Sequence, residues 1–132
     1  MVLKTENEVK KWLRGLPLLR KELSMRIEFF SDLARECKKS GTGIRHEEYY
    51  LNQIDTLHEQ IKILEKNVEY ALDLLDPDER AVISARYIKN IMWDAMEFHI
   101  HYSRRQAIRI HDRALKRLAG AELKGGAADE KD

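Results

Sequence analysis

Between Ser103 and Leu118 the chain carries Arg104, Arg105, Arg109, Arg113, Lys116 and Arg117 against a single acid, Asp112. Such a density of guanidinium and ammonium groups suits a polyanion, because both groups neutralise phosphates and arginine pairs bidentately with guanine. The competing reading is a solvated basic helix face. Spacing favours the first. Ser103 followed by Gln106 has the form of a capping box, which starts a helix at that point. Arg104, Arg105 and Arg109 then fall in the first turn and one turn further on. In a helix-turn-helix reader those positions meet base edges in the major groove. Gln106 can pair with adenine, although the cap competes for its side chain. Arg113, Lys116 and Arg117 are placed for phosphates.

Other chemistry finds less support. His99 and His101 are two apart and do not share a helix face, and neither Cys37 nor His111 completes a recognisable metal-ligand set with them. His46 and His58 fall in the N-terminal half with no ligand spacing. Gly41-Thr42-Gly43 lacks the length and the lysine of a phosphate-cradling loop. The acids Glu47-Glu48 and Asp76-Asp78-Glu79 sit near expected helix starts, where they serve local electrostatics. Trp12 and Trp93 read as core or interface residues. We therefore expect no enzyme, no cofactor and no metal.

The basic segment needs elements to position it. Ala107, Ile110, Ala114 and Leu118 form an inward stripe on its helix, with Ile108 and Leu115 alongside. Upstream, Asp76 and Pro77 read as an N-cap and first helical position. The helix they open carries Ala81, Val82, Ala85, Tyr87 and Ile88 and breaks near Lys89-Asn90. A shorter helix with Ile91, Trp93, Ala95, Met96 and Phe98 follows, and His99 to Tyr102 form a turn. Three short helices, the third basic on its outward face, match a helix-turn-helix module over residues 76–119. Residues 120–132, rich in glycine and acids, read as a frayed, flexible tail.

Residues 1–75 read as a helical arm. A short helix from about Thr5 to Arg14 is expected to break at Gly15-Leu16-Pro17, because a proline pushes the residue before it out of helical geometry. A second helix, to about Lys39, carries Leu19, Leu23, Ile27, Phe30, Ala34 and Cys37 at steps of three and four. The clearest pattern follows. Tyr50, Ile54, Leu57, Ile61, Leu64, Val68, Ala71 and Leu75 recur at alternating steps of four and three, a seam of coiled-coil type. As a helix, residues 46–75 would span about 45 Å. Such a seam must be covered, by the preceding helix folded back as a hairpin, by the same helix of a second chain, or by both, and homo-oligomerisation through it, as a dimer, is the favoured expectation. The fold class expected is all-α: a long helical hairpin or coiled-coil arm followed by the three-helix module.

Composition agrees. The 132 residues are 36% charged and 43% hydrophobic, too polar for a membrane protein and too apolar for full disorder. With 24 Lys and Arg against 23 Asp and Glu, the formal charge of +1 hides the local concentration after residue 103. No apolar run reaches membrane-spanning length, and one cysteine excludes an intrachain disulfide framework. A reducing, cytoplasmic location is expected.

The segment from Leu75 to Leu118 resembles the part of bacterial sigma factors that reads the upstream promoter element, known as region 4. The similarity lies in Leu75-Asp76-Pro77-Asp78-Glu79-Arg80-Ala81-Val82-Ile83, in Trp93 and Ala95-Met96, and in the Ser103-Arg104-Arg105-Gln106-Ala107 and Ala114-Leu115-Lys116-Arg117-Leu118 runs. With a helical arm in front, the whole chain is similar to phage late-transcription regulators of the RinA/ArpU kind. The resemblance implies a double-stranded DNA-binding regulator that activates phage or prophage genes in a bacterial host, with host RNA polymerase as a further partner and Arg104, Arg105 and Arg109 at the bases. Arg105 departs from the acid often found there, so a sigma-like target sequence does not follow. The alternative is a protein like the small terminase subunits that package phage DNA, in which the DNA-binding part more often comes first. A coiled-coil adaptor without a nucleic-acid role is the third reading.

Overall fold

A computed structural model describes residues 1–41 and 44–124. In order these form β1 (Val2–Leu3), α1 (Glu6–Ser40), α2 (Ile44–Asp73), α3 (Pro77–Ile83), a π-helical turn (Ser84–Ile88), a 3-10 turn (Trp93–Ala95), α4 (Met96–Ile100), α5 (Arg104–Leu118) and β2 (Ala121–Glu122). The protein is mostly helical, and no helix among the described residues is long and apolar enough to cross a membrane.

The expected break at Gly15-Leu16-Pro17 does not occur: α1 runs through it as one helix, with Pro17 in its interior. An interior proline costs about 3 kcal/mol in a helix. Burial on both sides of it outweighs that cost. Val9, Leu13, Leu16 and Leu23 are all buried on one stripe, and burying each such side chain contributes about 1.5–3 kcal/mol. Thr5 caps the start, exchanging bonds with Glu8, and Gly41 ends the helix at φ 65°, a left-handed conformation that glycine adopts without strain.

α2 packs along α1 in the opposite direction. Arg20 pairs with Glu65 at 3.2 Å, the Phe30 and Tyr50 rings lie 6.0 Å apart, and Leu13 and Leu16 meet Val68, Ala71 and Leu72. The seam side chains, expected to serve oligomerisation alongside or instead of a hairpin, pack against α1 of the same chain. Leu57, Leu64, Ala71 and Leu75 are buried there, and Tyr50, Ile54, Ile61 and Val68 are partly buried. The α1 stripe supplies the complementary ridge, since its own four-three spacing continues past Pro17 through Leu23, Ile27 and Phe30. α2 ends at Asp73, so Leu75 belongs to the connection before α3.

The expected boundary at residue 76 does not divide the core. Leu3, Val9, Leu13 and Leu16 share one apolar cluster with Leu75, Ile83, Tyr87, Ala114, Leu115, Leu118 and Leu123. The amino-terminal end of α1 is thus built into the C-terminal helices. A second cluster, Val82, Ala85, Met96, Ala107 and Ile110 with Trp93 and Tyr102 against it, holds α3, α4 and α5 together.

The tail also departs from expectation. Residues 120–124 are ordered by backbone pairing: β2 lies antiparallel to β1, with Val2 opposite Glu122 and Leu3 opposite Ala121. The buried Asn67 side chain on α2 donates to the Lys124 carbonyl at 2.7 Å and accepts from its N–H at 2.9 Å. Leu123 of this strap is buried in the apolar core. The expectation of flexibility for residues 125–132 lies outside the described residues.

Candidate nucleic-acid interface

α5 begins where the capping box places it. Ser103 Oγ accepts from the Gln106 N–H at 3.2 Å, and Gln106 Oε1 accepts from the Ser103 N–H at 3.1 Å. Both side chains are exposed, but the amide oxygen of Gln106 is committed to the cap, which removes half of the bidentate pair that adenine would need. The turn before α5 is shorter than expected. α4 continues to Ile100, and the reversal is made at His101, which takes the left-handed φ of 61° without being glycine.

The inward face of α5 is that expected, Ala107, Ile110, Ala114 and Leu118, with His111 and Leu115 also buried. On the outward face Arg105, Arg109 and Lys116 are exposed on one stripe at steps of four and seven, and among the described residues none of the three meets a carboxylate. Arg104 Nε lies 3.1 Å from Asp94 Oδ1, with both side chains largely in solvent. A pair so exposed contributes little and exchanges readily.

Arg113 and Arg117 behave otherwise. Instead of standing free for phosphates, they close onto the acids that open α3. Arg113 Nε donates to Glu79 Oε2 at 2.9 Å and its terminal nitrogen meets Asp78; Arg117 Nε donates to Glu79 Oε1 at 2.8 Å and its Nη2 reaches Asp76 Oδ2 at 3.0 Å. Glu79 Oε1 also accepts from the Asp76 N–H at 2.8 Å. The Glu79 side chain is fully buried. Burial pushes its carboxyl up, but the Asp76 N–H and the two guanidinium groups outweigh burial and hold it below the usual value. Asp78 is held down chiefly by its bond from Arg113. Three acids first read as dipole partners thus form a clamp that fixes α5 against α3.

On the opposite flank of α5, His111 is buried with Nε2 at 2.6 Å from the Tyr87 hydroxyl and Nδ1 at 3.1 Å from Asp112 Oδ1. The neutral tautomer carrying its proton on Nδ1 satisfies both contacts, donating to Asp112 and accepting from Tyr87. Burial depresses the His111 pKa below 6.5, with Asp112 opposing and Lys10 and Arg86 adding to the effect. The π-helical turn brings Tyr87 there. Its wider winding, closed by the Lys89 N–H to the Ser84 carbonyl, keeps Tyr87 buried over His111. Trp93 packs edge-on to the same imidazole at 5.0 Å.

Beside this group lies a cleft of about 230 Å³, bordered by Lys10 and Arg14 of α1, Arg86 of the π turn and Arg104 of α5. Sequence reading passed over Lys10, Arg14 and Arg86 because they are scattered along the chain, and only folding brings them beside α5. Among the described residues no group of histidine, cysteine and acidic side chains is arranged to hold a metal ion, and Cys37 is half-buried in α1. Comparison of the chain with family models, with curated proteins and with solved structures gives no match.

Proposed function

We propose that the protein is a sequence-specific, double-stranded DNA-binding transcriptional regulator that inserts α5 into the major groove. In this reading α3 with its π turn, α4 and α5 form a helix-turn-helix unit, and α4 and the His101 turn set the angle at which α5 is presented. One observation carries the reading: Arg105, Arg109 and Lys116 stand together, exposed and without acidic partners among the described residues, on the outward face of a capped helix whose other face is packed. A helix so held presents charge without reorganising. Arg105 and Arg109 are the base-reading candidates, Lys116 a phosphate contact, and Arg104 joins them by exchanging Asp94 for the duplex. Arg113 and Arg117 are assigned to the clamp.

The resemblance to sigma region 4 and to RinA/ArpU-type regulators supports phage or prophage genes as the target, the bacterial cytoplasm as the place of action, and RNA polymerase as a further contact. Self-association belongs to the proposal as well, because two tethered modules gain effective concentration at paired half-sites. α1 already covers Leu57 and Leu64 of the α2 seam, so a second chain would meet it at its partly buried positions, Tyr50, Ile54, Ile61 and Val68.

The test is selection of bound duplexes from a random pool, run with wild type and with Arg105→Gln/Arg109→Gln. A sequence motif that emerges with wild type and vanishes with the variant supports the reading. Wild-type retention without sequence preference reduces it to phosphate contact, and no retention at low salt refutes it.

A further inference from the structure

Lys10, Arg14, Arg86 and Arg104 come from three separate elements and border one cleft, floored by Tyr87, Trp93 and His111, with Asp112 as the one acid among its lining residues. Asp112 accepts from the neutral His111 and keeps its charge, so four cationic side chains face one carboxylate across the cleft. Lys10, Arg14 and Arg86 meet no carboxylate among the described residues, so positive charge predominates in the cleft. Arg86 is held in place by the ring faces beneath it, its guanidinium carbon 5.5 Å from the Trp93 centroid and 5.8 Å from that of Tyr87. Stacking of this kind fixes a guanidinium while leaving its N–H edge free to donate.

We propose that this cleft binds a backbone phosphate of the same duplex that α5 reads, so that the DNA-contacting surface extends from α5 across the π turn onto α1. The inference rests on the DNA-binding reading and adds to it a docking point outside the three-helix unit. Two features favour a phosphodiester over a free ligand. The cleft, at about 230 Å³, is smaller than the roughly 300–1,000 Å³ typical of small-molecule sites, and its rim is charged where theirs are mostly apolar. Arg104 belongs both to the cleft and to the first turn of α5, so a strand beside that turn passes the cleft mouth. A phosphate held there would fix the rotation of α5 in the groove, because the turn of α1 that carries Lys10 and Arg14 is anchored by Val9, Leu13 and Leu16 in the shared apolar core.

The experiment measures duplex affinity against salt for the full chain, for Lys10→Gln/Arg14→Gln, and for Arg105→Gln/Arg109→Gln. Arg86 is left intact, and equal melting temperatures confirm that the α1 variant is folded. Removing one phosphate contact lowers the slope of log K against log salt by about 0.9, so the variant loses roughly 3.5-fold less affinity than wild type over a fourfold rise in salt. Its preferred sequence stays that of wild type. An unchanged slope in the α1 variant, with wild type still binding and Arg105→Gln/Arg109→Gln impaired, overturns this inference and leaves the DNA reading standing. Wild type that fails to bind any duplex overturns both. Stabilisation of wild type by millimolar pyrophosphate, abolished in the α1 variant while the salt slope stays fixed, overturns the backbone assignment in favour of a small phosphorylated ligand.

Discussion

Replacing Glu79 by glutamine tests whether Arg113 and Arg117 serve the fold. The carboxylate accepts from two arginine Nε–H groups and from the Asp76 N–H. Glutamine keeps the shape but offers one acceptor oxygen, so its NH2 must confront one of the guanidinium donors. A hydrogen bond to a charged group contributes about 1.5–3 kcal/mol, and one is lost outright. Arg113 and Arg117 are 50% and 43% exposed, so water reaches the freed donors and returns part of the loss. The expected net cost is about 2 kcal/mol, or a fall in melting temperature of about 7 °C for a chain of this size. Equilibrium urea unfolding at neutral and acid pH measures it. Because the folded protein holds Glu79 below its ordinary value of 4.5, the stability it contributes is present above that pH and is lost as pH falls through the folded pKa. The gap between wild type and Glu79→Gln should therefore narrow in acid. A variant as stable as wild type at pH 7, or a gap that persists unchanged in acid, refutes the clamp.

His111 titrates in the opposite sense to a salt-bridged histidine: its pKa is lowered on folding, so the unfolded chain takes up the proton first and stability falls as pH drops below about 6.5, a decline that His111→Gln should lessen in urea unfolding at pH 7.5 and 5.5. Leu64→Ala should cost about 2–5 kcal/mol while leaving the mass in solution unchanged, because α1 and not a second chain covers Leu64; a fall in assembly mass by light scattering would place the seam between chains. His101→Gly should raise stability by up to about 1 kcal/mol in thermal unfolding, since a side chain at φ 61° is strained and glycine is not; a lower melting temperature would show that the imidazole makes up for its backbone.

Periodicity made α2 and the inner face of α5 legible, because burial of a helix face repeats locally and needs no knowledge of the partner. The start of α5 was legible for the same reason, as the Ser103–Gln106 exchange spans one turn. Pro17 misled because the local penalty is real but smaller than the burial that Leu13, Leu16 and Leu23 bring from elsewhere in the fold. Charge misled more deeply. Arg105 and Arg113 are the same residue type on one helix, yet one faces solvent and the other meets acids 34 and 35 positions away. Spacing along the chain cannot separate a solvated guanidinium from a neutralised one. The Asn67–Lys124 bond, spanning 57 residues, and the union of Lys10 with Arg104 were hidden by the same distance.

The pairing of Val2–Leu3 with Ala121–Glu122 has a consequence for how the molecule is made. These partners close a loop of nearly the whole chain, so the contact carries a high entropic cost and forms late. Synthesis is vectorial, and residues 121–124 leave the ribosome after α1 to α5 have emerged. Until they do, Leu3 lacks its strand partner and the Asn67 amide is left to solvent in place of Lys124. Maturation of the nascent chain is thereby coupled to translation of the strand that follows α5.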